Sequence, residues 1–165
     1  MRRTRIPLLV AAMASTSAHA HGQTMHYGAL ADVASGVEGG ASRVALRRAR
    51  TTLRFGADAF LDESPKDVFS VAGIVEVEPR AAVGLEVRYR RLFGERFSAS
   101  AGLTSILAPS SIYGGTVDFV VTFPWSKSLN VTVGPTVNAF PLGADLPDGT
   151  ILWQAFARVG LRANL

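Results

Sequence analysis

Residues 157–165 read ARVGLRANL, and apolar residues alternate with Arg, Gly and Asn through this stretch. Ala157 and Val159 fall on one side of an extended chain, whereas Arg158 and Arg162 fall on the other side. A period of two indicates a β-strand, because successive side chains of a strand point to opposite faces. The stretch therefore predicts a strand with one apolar face and one charged face.

The same alternation recurs from about residue 49 to the end of the chain, and a less regular run precedes it. Clusters of Gly, Pro, Ser, Asp and Glu separate the runs and predict turns. The predicted strands are eight in number and cover residues 25–37, 43–61, 69–77, 81–90, 97–103, 113–123, 129–138 and 150–165. The predicted turns cover residues 36–40, 62–67, 78–80, 94–95, 109–111, 124–127 and 141–149.

Hairpins that follow one another without a helix predict an all-β, antiparallel, up-and-down barrel. The alternation alone does not show which face of the sheet points into the barrel, so it fits two kinds of barrel. In a transmembrane barrel the apolar face contacts lipid and the polar face lines the interior. In the alternative, a soluble periplasmic lipocalin-like barrel, the apolar face would line the interior and bind an apolar ligand. Ala, Gly and Val dominate the apolar face and would pack poorly as a soluble core, which favours the transmembrane barrel.

The N-terminus has the features of a secretory signal peptide. Arg2, Arg3 and Arg5 are basic, residues 6–13 are apolar, and residues 18–20 read Ala-His-Ala, as expected before a cleavage site. We expect residues 1–20 to be the signal peptide and residues 21–165 to be the barrel domain. Removing the signal leaves 14 Lys and Arg against 13 Asp and Glu, so a basic nucleic-acid-binding surface is not expected.

Aromatic residues are concentrated near one end of the predicted barrel. Outward positions near this end carry most of them, and only Tyr113 and Trp153 lie near the other rim. An aromatic girdle at a membrane interface explains such a distribution. The aromatic residues near the first end are Tyr27, Phe69, Tyr89, Phe93, Phe97, Phe123 and Trp125.

On this alternation, strand count and turn spacing, the predicted domain resembles the small eight-stranded bacterial outer-membrane barrels, such as the membrane domain of outer membrane protein A. The resemblance implies insertion in the outer membrane of a Gram-negative bacterium. It implies outer-membrane lipid as a partner, and the barrel-assembly machinery as a partner during biogenesis. It also implies a structural or minor-pore role without catalysis. The sequence does not indicate an oligomeric state.

The charged inner face is the candidate functional site. Two hypotheses fit it: a structural network of ion pairs that fills the lumen, which we favour, and a narrow polar conduit. We expect Glu76 to pair with Arg88 across the hairpin between the third and fourth strands. The predicted lumen residues are Arg48, Arg50, Arg54, Asp58, Glu76, Glu78, Glu86, Arg88, Arg90, Asp118, Arg158 and Arg162.

No catalytic, cofactor or metal site is predicted. His21 and His26 are the only histidines outside the signal peptide, and both lie near the start of the predicted domain. The chain has no cysteine, which excludes disulfides and thiolate metal sites.

Overall fold

The structure is a computed structural model that describes residues 24–164, except for residues 42–47, 62, 79, 145 and 147. The predicted signal peptide, His21 and Leu165 lie outside the described residues. No helix within the described part of the chain is long and apolar enough to cross a membrane.

The described strands form one closed antiparallel sheet in which each strand pairs with the next and β8 pairs with β1. This confirms the predicted all-β, eight-stranded, up-and-down barrel. Met25 and Asn164 lie at the same end, which we call the terminal end. The strands are β1 (Met25–Ala41), β2 (Arg48–Leu61), β3 (Ser64–Glu78), β4 (Ala82–Phe93), β5 (Phe97–Ala108), β6 (Ile112–Pro124), β7 (Leu129–Gly143) and β8 (Ile151–Asn164).

Three strands continue into segments that composition predicts to be turns. β1 continues through Gly39, which pairs with Trp153; the indole of Trp153 covers the space that a side chain at residue 39 would occupy. β3 begins at Ser64, because a register shift after Phe60 brings Leu61 and Ser64 opposite each other. β7 runs through Pro141 to Gly143. Pairing with a neighbouring strand therefore overrides the local turn preference of Gly and Pro.

The alternation gives the barrel an apolar outer surface. Val71, Val87 and Leu103 are neighbours across three strands, and they are 57%, 52% and 73% exposed on the outer face. The residues that follow Val87 and Leu103 in the chain, Arg88 and Thr104, are buried in the interior. The soluble lipocalin-like alternative requires the opposite arrangement, so this fold does not favour it.

Glycines on the inner face allow neighbouring strands to approach closely. A Cβ atom at Gly56 would overlap the backbone carbonyl oxygen of Val71 on β3. The same overlap with a neighbouring strand occurs at Gly36, Gly84, Gly102, Gly114 and Gly134. Glycines of this kind let a sheet bend sharply enough to close on itself.

We therefore expect Gly56→Ala to lower the free energy of unfolding by about 1–3 kcal/mol, because the added methyl group would force two backbones apart. Gly73→Ala is the matched control, since a Cβ there would approach only the carbonyl oxygen of Phe55, at 3.9 Å. Urea unfolding of the two variants measures the difference. An equal effect of the two substitutions would contradict the close-approach explanation.

Candidate functional site

A chain of alternating charges crosses the middle of the lumen. Arg54 donates from Nε to Asp32 at 2.9 Å and also bonds Glu86. Glu86 accepts from Arg88 at 2.5 Å, and Arg88 in turn bonds Asp118. Arg158 completes the chain by donating to Asp118. All these side chains are buried, so each charge is compensated by direct neighbours rather than by bulk water.

A second cluster lies toward the terminal end, around Asp58. The Asp58 carboxylate accepts hydrogen bonds from Ser70 and from Arg90, the latter at 2.9 Å, and it also pairs with Arg162. We call Asp58, Ser70, Arg90 and Arg162 the terminal cluster. Two arginines share one carboxylate in this cluster.

A third cluster lies toward the opposite end of the barrel and has more carboxylates than arginines. Arg50 donates to Glu38 at 2.8 Å and also pairs with Glu76. The amide of Gln154 donates to both carboxylates, at 3.0 Å to Glu38 and 3.3 Å to Glu76, and accepts from Asn138 at 3.1 Å. Two carboxylates therefore share one arginine and one neutral amide.

Apolar side chains fill part of the lumen beside this third cluster, next to a cavity of about 130 Å³ that Arg50 and Glu76 also line. Phe140 is fully buried and packs with Ala82, Ile106 and Ile112, and Leu146 and Leu152 cover the group. We call these six residues the apolar plug. A cavity of only about 30 Å³ remains between the plug and the middle charges, which is room for roughly one or two water molecules.

Apart from Asp118, the β5–β7 side of the lumen is lined mainly with hydroxyl groups. The hydroxyl oxygens of Thr104, Thr116, Thr132 and Thr136 are buried and have no protein partner among the described residues. Such groups are normally satisfied by ordered water. The lumen therefore has a charged wall and a hydroxyl wall.

The structure brings most of the sequence-predicted lumen residues together, with three corrections. Arg48 and Glu78 are exposed at the rim opposite the terminal end, because β2 begins at Arg48 and β3 ends at Glu78. Glu76 does not pair with Arg88. The β3–β4 register places Glu76 opposite Ala82 and Arg88 opposite Ser70, so the two side chains lie in different layers.

Sequence reasoning missed Asp32, Glu38 and Gln154. All three occupy even-numbered positions on β1 or β8, on the same face as Arg158 and Arg162. Their even-numbered spacing is the signal that assigns all three to the lumen, although the predicted first strand ends at residue 37, before Glu38. Among the described residues, no group of three or more His, Cys, Asp or Glu could hold a metal ion.

Comparison with solved structures finds a similar barrel in Neisserial surface protein A (NspA). The TM-score is 0.57 at 13% sequence identity, over 87% of this chain and 99% of that protein. NspA is an outer-membrane protein with an eight-stranded barrel. This chain has the fold of the small outer-membrane barrels. No family model matches the sequence, and no curated protein is similar to it in sequence.

Removal of one arginine should show how strongly the middle charges depend on each other. Arg54→Met leaves the buried carboxylates of Asp32 and Glu86 with fewer compensating hydrogen bonds. We therefore expect the free energy of unfolding to fall by about 3–5 kcal/mol. Arg91→Met is the control, since Arg91 is exposed and lies 3.6 Å from Asp67. We expect that variant to lose less than about 1 kcal/mol. Similar losses in urea unfolding would show that the lumen pairs are solvated like surface pairs.

Proposed function

We propose that this protein is a structural barrel of the outer membrane of a Gram-negative bacterium, delivered by its signal peptide and inserted by the barrel-assembly machinery. The observation that carries the proposal is the apolar outer surface around a charged interior. A soluble protein would leave this surface in water, whereas a bilayer covers it.

The strand lengths and the aromatic residues support the same proposal. The strands have 12 to 17 residues, which exceeds the roughly 9–11 residues that a tilted strand needs to cross a bilayer. Exposed outer-face aromatics lie near the terminal end, and two neighbouring pairs are in contact: Phe69 with Tyr89 at 5.4 Å, and Phe97 with Phe119 at 6.0 Å between ring centroids. Aromatic belts of this kind lie at membrane interfaces.

A structural role fits the lumen better than catalysis or conduction. The charged groups in the described lumen are bonded to each other. Among the described lumen residues, no unpaired carboxylate is therefore available as a general acid or base. The apolar plug and the middle charges form two barriers in series. A minor pore would need both barriers to move.

Contact with lipid can be tested by placing one arginine on the outer face, either at the middle of a strand or near a strand end. Val87→Arg, at the centre of β4, should cost about 2–4 kcal/mol in unfolding free energy from vesicles, because an arginine at the bilayer midplane is poorly solvated. Val77→Arg, near the end of β3, should cost at most about 1 kcal/mol. Both native side chains are about half exposed, at 52% and 50%. Equal, small losses would remove the argument for a lipid-facing surface.

Conductance measurements test whether ions can pass through the lumen. We expect the purified protein to give no stable, porin-like openings in planar bilayers, because the two barriers leave no continuous water path. Phe140→Ala should also give no stable openings, because it removes the centre of the apolar plug but leaves the middle charges in place. Large, stable openings by the unsubstituted protein would instead support the minor-pore role.

A further inference from the structure

The terminal cluster has two arginines and a single carboxylate. Asp58 is the shared partner of Arg90 and Arg162. Each arginine side chain is only 10% exposed, and the Nε of each has no hydrogen-bond partner among the described residues. A buried guanidinium without a full set of acceptors is costly. Asp58 bonds only Nη2 of Arg90 and Nη1 of Arg162, so the other terminal nitrogen of each guanidinium remains to bond an anion.

The same arginines line a cavity of about 270 Å³ between the terminal cluster and the terminal rim. The β4–β5 turn adds Arg96 and Glu95, both exposed. The charged groups that line the cavity are therefore three arginines and two carboxylates. Of the two carboxylates, Asp58 is already shared and Glu95 lies at the solvent-exposed turn, so the inner wall of the cavity is positive.

Apolar side chains occupy part of this cavity wall. Phe60, Val68 and Leu92 line it together with the arginines. An inorganic anion would leave these surfaces against water, whereas an anion that carries an apolar group would cover them. The middle charges close the inner end of the cavity, so a bound molecule could enter and leave only from the terminal end.

We propose that this cavity binds a small organic anion, whose carboxylate or phosphate oxygens accept hydrogen bonds from Arg90 and Arg162 and whose apolar part contacts Phe60 and Leu92. The site holds its ligand and does not conduct it. This inference depends on the lumen geometry and not on the proposed structural role in the membrane.

Binding can be measured on the full folded barrel in neutral phosphatidylcholine vesicles by titration calorimetry, with protein-free vesicles as the blank. The probes are benzoate and phenyl phosphate, which distinguish a carboxylate from a phosphate ligand, and benzyl alcohol as the uncharged analogue. We expect saturable binding of at least one anion and weaker binding of benzyl alcohol. No saturable binding of either anion, or equal binding of benzyl alcohol, would overturn the proposal.

Three variants locate the site. Arg162→Gln should weaken anion binding about tenfold or more, since it removes a charge-assisted hydrogen bond. Arg96→Gln changes an exposed turn residue, so it should fold, and it should weaken binding by a smaller factor. Arg91→Gln is the control and should bind normally, because Arg91 lies outside the cavity. Heat-dependent gel mobility reports folding of each variant. Unchanged binding by folded Arg162→Gln, or by Arg96→Gln if the former does not fold, would place the anion elsewhere.

Discussion

The interior of an eight-stranded barrel is too narrow for a column of bulk water, and this constraint determines the rest of the structure. Side chains must fill the lumen, and any charge among them must be compensated by another side chain. The described lumen carries one carboxylate for each arginine. The carboxylates are Asp32, Glu38, Asp58, Glu76, Glu86 and Asp118, and the arginines are Arg50, Arg54, Arg88, Arg90, Arg158 and Arg162.

Neutrality of the whole lumen hides an uneven distribution along its axis. The terminal cluster has an excess arginine, the middle chain is balanced, and the cluster around Arg50 has an excess carboxylate. The two ends of the lumen also differ in how far side chains fill them. The apolar plug packs beside the acidic cluster and leaves a cavity of about 130 Å³ there, whereas the cavity at the basic end is about 270 Å³. This polarity gives the two ends of the barrel different chemistry.

The alternation in the sequence was sufficient to predict the strand number, the strand order and the face of almost every residue, because a period of two directly encodes the two sides of a sheet. The ion-pair partners could not be predicted in the same way. Glu76 and Arg88 lie on adjacent strands and the same face, yet hairpin register places them in different layers. Asp58 and Arg162 pair across the lumen although 104 residues separate them. Such contacts depend on barrel closure, which no local pattern reveals.

We propose that odd-numbered side chains face lipid and that even-numbered side chains face an interior filled by side chains. The chain has no cysteine, so single cysteines along β8 from residue 155 to residue 159, which lie away from the terminal cavity, can each carry a spin label without background. For the protein in vesicles, we expect that labels at odd positions collide with dissolved oxygen and that labels at even positions collide with neither oxygen nor a soluble nickel chelate. Strong nickel collisions at the even positions would reveal a water-filled pore. Strong nickel collisions at the odd positions would show that the apolar face is not in lipid.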